Sequence, residues 1–373
     1  MLNKLKENII LNLKNIPGKS TPAKIVVIEC DDWGGIRTPS REVYDKLAGR
    51  NLVDINCRYR NDTLSTSEDM EQLFHVLESA RGKNNCAVMT PVVNVANPDF
   101  TKIRDSGFSE YHYEKFTDTL KRYGRGPEVF ALWKKGIQKG IFIPELHGRE
   151  HVTVQLWMNK LREGNEKLRF AFENEFISID LPEIKTAANG FRAEFYFDSP
   201  DQTPFLERSV SEGVDLFSSI FGYNPEVFVP SNAIFHPVFE KTLANSGVKY
   251  LNVGHINLIP DEKGGLKKKY YRNGKQTKSG LRYYIRNCAF EPTDPKYRGI
   301  ESTLKQVKAS FRWGKPAIIS THRVNFSGGI DPYNREYGLS ELKLLLLSIV
   351  KNWPDAEFMS SSAMFNFLWS KQK

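Results

Sequence analysis

Cysteine is scarce in this chain of 373 residues: Cys30, Cys57, Cys86 and Cys288, with no Cys-x-x-Cys pair. A disulfide framework and a zinc ribbon are therefore not indicated. Long apolar runs are lacking as well. The longest, Leu344 to Leu347 with Ile349 and Val350, falls far short of the ~18–20 residues a spanning helix needs. No Gly-x-Gly-x-x-Gly and no phosphate-loop pattern follows a strand candidate, which argues against a nucleotide-binding sheet. The N-terminus has no compact apolar stretch with a small-residue cleavage site, so the expected location is the cytoplasm. What remains is an ordinary globular balance of 40% hydrophobic, 26% charged and 12% aromatic residues, with no repeat or low-complexity stretch.

The net charge of +9 is local. Nine Lys/Arg and no acid lie between Lys263 and Arg286, which leaves 44 basic residues against 44 acids elsewhere. An Asn273-Gly274 turn signal and the pairs Tyr270, Tyr271 and Tyr283, Tyr284 predict a projecting basic β-hairpin at about 263–286. It serves either as a solvated surface or as a site for an anionic partner. No nucleic-acid partner is expected, because the charge is confined to one segment without a recognised motif. Residues 1–22 read as an amphipathic helix with Leu2, Leu5, Ile9, Leu13 and Ile16 on one side. Docking of that side onto the body is expected ahead of attachment to a membrane surface.

Seven short apolar segments alternate with helical patterns. They are Lys24–Glu29, Cys86–Val95, Ile141–Ile143, Glu226–Val229, Val248–Val253, Pro316–Ser320 and Ala356–Met359. Strands that are apolar throughout, with helices between them, predict parallel βα units in one α/β domain over residues 1–373, a closed or nearly closed barrel at 24–368. Residues at about 165–222 exceed one βα unit and read as an insertion, with Phe191–Phe197 as a candidate strand.

Catalytic groups of β/α barrels gather just past the C-terminal strand ends. Asp31-Asp32 follows the first segment, His147 and His151 the third, His255 the fifth and His322 the sixth. Histidines four apart can share one face of a helical turn and reach one metal ion, and a carboxylate would complete three protein ligands. Two adjacent carboxylates can divide the work of metal-assisted hydrolysis, one binding the cation and one taking the proton of water. His322 could give a proton to the leaving group. Trp33 and Trp157 either stack on a sugar face or fill the core.

The combination of Cys30-Asp31-Asp32-Trp33, His147-Gly148-Arg149-Glu150-His151 and Ile319-Ser320-Thr321-His322, in this order, resembles the polysaccharide deacetylase family with the NodB homology domain. The resemblance implies a distorted (β/α)7 barrel. It implies one divalent ion, zinc ahead of cobalt, nickel or manganese, on Asp32, His147 and His151. Asp31 becomes the general base and His322 the general acid in removing an acetyl group from a carbohydrate, an N-acetyl amide ahead of an O-acetyl ester. The partner is then an acetylated sugar or glycan, and an anionic or phosphate-linked one would suit the basic hairpin. Trp33, Asn232, His255 and Arg323 are the candidate substrate contacts. Two departures stand out: Trp33 replaces the usual Gly after Asp-Asp, and Val229-Pro230-Ser231 lacks the family's base-orienting Arg, for which Arg323, Arg192 and Arg149 are candidates. A non-catalytic carbohydrate-binding relative and an amidohydrolase acting on a non-sugar amide are the alternatives.

Overall fold

The computed structural model describes residues 9–177, 179, 181 and 190–369. Its main sheet is built from β1 (Ile25–Trp33), β2 (Met89–Asn94), β3 (Glu145–Gly148), β4 (Val227–Phe228), β5 (Tyr250–Asn252), β6 (Arg282–Tyr284), β7 (Cys288–Ala289), β8 (Ala317–His322) and the short β9 (Glu357–Phe358). The hydrogen-bonded order is β6-β5-β4-β3-β2-β1-β8-β7, with β9 beside the start of β1. Every pairing in it is parallel.

The two ends of that path are consecutive in the chain. Only residues 285–287 separate β6, which pairs with β5, from β7, which pairs with β8. One extended run from Arg282 to Ala289 therefore changes neighbours along its length and closes the ring. Counted as one stave, it makes seven, the expected distorted (β/α)7 barrel. Asn287 carries the change-over: its Oδ1 accepts the Ile318 N–H at 2.8 Å, and its Nδ2 donates to the Pro316 carbonyl at 2.9 Å. A side chain thus substitutes for the missing ladder bonds.

Alternation along the strands separates two apolar layers. Val26, Ile28 and Cys30 belong to the large core shared with the helices, whereas Ile25 and Val27 cluster with Val92, Tyr250, Tyr284 and Ile318. The C-terminal helix Ser361–Trp369 inserts Met364, Phe365 and Leu368 into this second cluster. Phe365 stacks on Tyr250 at 4.3 Å between ring centroids. Above it the interior turns polar. Glu29, fully buried, accepts from the Tyr284 hydroxyl at 3.0 Å and from Ser361 Oγ at 2.6 Å.

Several expectations are corrected. The third strand is Glu145–Gly148, while Phe142 makes only an isolated bridge to Met89. The Ala356–Met359 segment supplies the peripheral β9, and the seventh stave comes from Arg282–Ala289 instead. The antiparallel ribbon is Ile256–Pro260 with Leu266–Tyr270, so it turns at Asp261–Gly265. The turn at Asn273-Gly274 instead starts a second, looser pairing that ends in the Gln276–Arg282 bridge. Phe191–Phe197 is not a strand; in the same stretch Thr203–Phe221, with Pro204 in its first turn, is the helix leading into β4. Residues 182–189 lie outside the described residues, as do Leu2 and Leu5. The apolar positions Ile9, Leu13 and Ile16 face solvent rather than the body.

Candidate metal centre

The centre starts from a bulge. β1 loses register against β2 between Cys30 and Trp33, and Asp32 takes a left-handed backbone with φ 70°. A regular strand would send Asp31 and Asp32 to opposite faces. The bulge re-aims Asp32 so that both carboxylates reach the barrel mouth, a local strain costing on the order of 1–3 kcal/mol. Trp33 then turns outward, 2% exposed, and packs edge-on against Trp133 and Phe142. It is a core residue and offers no ring face to a ligand. Trp157, fully buried against Phe100 and Phe172, is another.

Asp32 Oδ1 lies 3.4 Å from His147 Nε2 and 3.3 Å from His151 Nε2. One ligand atom from each of the three residues lies within 4.8 Å of the others. His147 ends β3, whereas His151 sits in the following turn, before the helix Val154–Arg162. Strand and turn, not a helical face, bring the imidazoles together. His147 Nδ1 is 2.7 Å from the Val229 carbonyl oxygen. An Nδ1–H donated to that carbonyl leaves the Nε2 lone pair directed at Asp32 and His151, the tautomer a metal ligand requires. Burial lowers the pKa of His151, against the opposing pull of Asp32, which favours the neutral, ligating form. Gly148 is needed between them: at φ 145°, a Cβ there would stand 1.8 Å from Glu194 Oε2.

The remaining Asp32 oxygen, Oδ2, accepts from Arg37 at 3.0 Å, and that guanidinium lies over the Tyr59 ring at 3.9 Å. Burial works against ionisation of Asp32, yet both histidines and Arg37 hold its pKa well below the usual range. A buried, ionised carboxylate facing two imidazole nitrogens is a donor set that fits a divalent cation such as zinc.

Asp31 is directly opposite His322 in the β1–β8 register. Arg286 clamps Asp31 with two bonds, 2.7 Å to Oδ2 and 2.8 Å to Oδ1. The same guanidinium also donates from Nε to Glu29. Burial raises the Asp31 pKa, but Arg286 outweighs it and holds the group below its ordinary value. His322 Nδ1 is paired with Glu291 Oε1 at 2.5 Å, and its Nε2 is 4.0 Å from Asp31 Oδ2. Glu291 is fixed from behind by Arg58 at 2.6 Å and by Asn325 at 2.8 Å. Burial would lower the His322 pKa, but Glu291 raises it to about 9.

Arg37, Arg286 and Glu291 escaped the sequence reading. Arg286 was counted with the surface charge of the basic segment, and no motif marks Glu291. Of the arginines considered for Asp31, Arg323 is buried and bonded to Asp62 at 2.8 Å and to the Gly35 carbonyl at 2.8 Å. Buried and committed to these bonds, it has no free face to offer a ligand. Arg149 is held by Glu150 at 2.6 Å and by Glu212. Asn232 is exposed in a left-handed turn after β4, with φ 52°. His255 lies half-exposed beyond β5, where burial and the Lys14 ammonium lower its pKa.

Neither a protein-family model nor a curated protein matches the chain. Solved structures do. A protein of Parabacteroides distasonis described as a glycoside hydrolase/deacetylase is 11% identical, with 96% of this chain and 73% of that one covered and a TM-score of 0.52. A protein of Mycobacterium smegmatis described as a polysaccharide deacetylase is 11% identical over 94% of each chain, with a TM-score of 0.43. The 4-alpha-glucanotransferase of Thermococcus litoralis is 10% identical over 92% of this chain, which spans 40% of its length, with a TM-score of 0.46. The chain shares the fold of the first. The chemistry has to be argued from its own residues.

Proposed function

We propose that this chain is a metal-dependent hydrolase that removes an acetyl group from a carbohydrate, an N-acetyl amide ahead of an O-acetyl ester. The observation that carries the reading is the convergence of Asp32, His147 and His151 within 4.8 Å, beside a second carboxylate and an imidazolium. Asp32 Oδ1 and the two Nε2 atoms would hold the ion, zinc or a related divalent metal. When bound, such an ion polarises a carbonyl and makes its water more acidic. Asp31, kept ionised by Arg286, is placed to accept a proton from an attacking water. Arg286 orients that base, the task that Arg323, Arg192 and Arg149 were candidates for. His322, kept protonated by Glu291, is placed to give a proton to the departing amine or alcohol. The fold shared with the glycoside hydrolase/deacetylase of Parabacteroides distasonis supports a sugar as the substrate class.

Elemental analysis and an acetate-release assay test this. Wild-type protein should carry about one divalent ion per chain and release acetate from some member of a panel of N- and O-acetylated sugars. Asp32→Ala should lose both. An Asp32→Ala protein that keeps its metal, or keeps full activity, refutes the assignment.

A further inference from the structure

The N-terminal segment, helical over residues 9–13 and turning at 14–18, is seated the wrong way round for one that only packs on its own protein. Its polar side faces inward. Asn12 Oδ1 accepts from the Trp313 indole N–H at 3.1 Å, Asn15 Oδ1 accepts from Asn287 at 2.9 Å, and Lys14 Nζ donates to the Asn287 carbonyl at 2.5 Å. Four of its large apolar side chains, Ile9, Ile10, Leu13 and Ile16, are between 48% and 57% exposed, while Leu11 is half-buried.

The antiparallel ribbon repeats the inversion. Opposite residues of a ribbon share a face, and here Ile256 opposes Tyr270 while Leu258 opposes Lys268. That face is the exposed one, with Ile256 at 52%, Leu258 at 46% and Tyr270 at 72%, whereas Asn257 and Ile259 on the other face are buried. The two elements adjoin. Lys14 bears on His255, the residue before the ribbon, and a Cβ on Gly18 would lie 2.7 Å from Asn273 Nδ2. Beside the end of the ribbon opens a cavity of about 720 Å³ lined by Lys19, Lys269, Arg272, Lys275, Tyr270 and Trp369.

Most of the charge of this region is unmatched. Of its nine cations, Arg286 is turned inward onto Asp31 and Glu29, which leaves eight. The acids nearest to it are engaged elsewhere: Asp261 caps its own turn through the Lys263 and Gly265 N–H groups, Glu262 faces His236 at 3.9 Å, and Glu240 accepts the Tyr283 hydroxyl. Exposed aliphatic side chains on convex elements, with Lys and Arg around them and Tyr and Trp at the margin, match the demands of a lipid–water interface. The apolar groups enter the acyl boundary, the aromatic rings sit among the headgroups and the cations meet lipid phosphates. Nucleic acid would use the cations but leave the isoleucines in water.

We infer that the N-terminal helix and the Ile256–Tyr270 ribbon together seat the protein on the surface of an anionic lipid bilayer. The attachment is peripheral, since no helix among the described residues is long and apolar enough to cross a membrane. It is independent of the metal centre.

Co-flotation of the full chain with vesicles decides the matter. Binding to phosphatidylcholine vesicles containing phosphatidylglycerol should exceed binding to pure phosphatidylcholine by about tenfold at low salt, and should fall steeply as salt is added. Lys267→Glu/Lys268→Glu and, separately, Ile9→Ser/Leu13→Ser should each reduce it by about tenfold with unchanged thermal unfolding, as these side chains are exposed. Equal binding to neutral and anionic vesicles overturns the inference. So does loss in the charge variant with none in the apolar variant, and so does saturable binding to nucleic acid without binding to either vesicle.

Discussion

Asp31 and His322, the proposed proton acceptor and proton donor, have their charges set from behind, by Arg286 on one side and Glu291 on the other. The His322 pKa of about 9 reflects Glu291 overcoming burial. A raised histidine pKa stabilises the fold fully below about 6.5, the unfolded value, and that contribution disappears as pH rises through about 9. Glu291→Gln should therefore bring the His322 titration down by a unit or more and remove acetate release first on the alkaline side. Histidine NMR titration of wild type and variant reads this directly; an unchanged titration near 9 would show that Glu291 is not the cause. At this scale the sequence was legible where chemistry is local. Asp32, His147 and His151 stand in short patterns of uncommon residues. Arg286 was not legible, because it meets Asp31 across 255 positions. Trp33 misled for a physical reason: the neighbour of a site residue on a strand points to the opposite face. Arg323 misled because the chain leaves the strand at His322 and turns it onto Asp62.

Among the elements, the stave from Arg282 to Ala289 shows most clearly what apolar patterning misses. Its two pieces are only three and two residues long, and the first, Arg282-Tyr283-Tyr284, reads naturally as the end of a hairpin. What makes them strands is backbone pairing with β5 and then β8, and the change-over is bridged by Asn287, a side chain with no hydrophobic signature. The long apolar strand β1, buried at all nine positions, was readable for the opposite reason. Asn287 is 9% exposed and satisfies the Ile318 N–H, the Pro316 carbonyl and Asn15. Replacing it with Ala strands buried backbone groups at the seam, at a cost of about 2–4 kcal/mol. Asn287→Asp keeps only the acceptor and should fall between. Denaturant unfolding of the two variants checks the ranking. Wild-type stability in Asn287→Ala would mean that the stave is held by its neighbours and not by this side chain.

Taken as a whole, the molecule stores ionisable groups inside its barrel, and they impose opposite pH dependences on its stability. Asp31 and Asp32 are held below their ordinary pKa of 3.8, so what they contribute is present at neutral pH and is lost on acidification through the acid range. Glu145 has the reverse sign. It sits 1% exposed at the start of β3, where its Oε2 accepts the Glu226 and Val227 N–H groups, each at 2.9 Å. Burial nevertheless lifts its pKa from 4.5 to about 8. Between those values the folded chain keeps a proton that the unfolded chain has released, so raising the pH favours unfolding throughout that window and adds nothing beyond it. Glutamine can make the same bonds without the proton. Glu145→Gln should therefore gain stability over wild type progressively from pH 5 to pH 8, with the two proteins closest near pH 4.5. Chemical denaturation of both across that range measures the difference. A gap that stays constant or closes with rising pH would mean that Glu145 is ionised in the folded barrel and that its two backbone donors outweigh its burial.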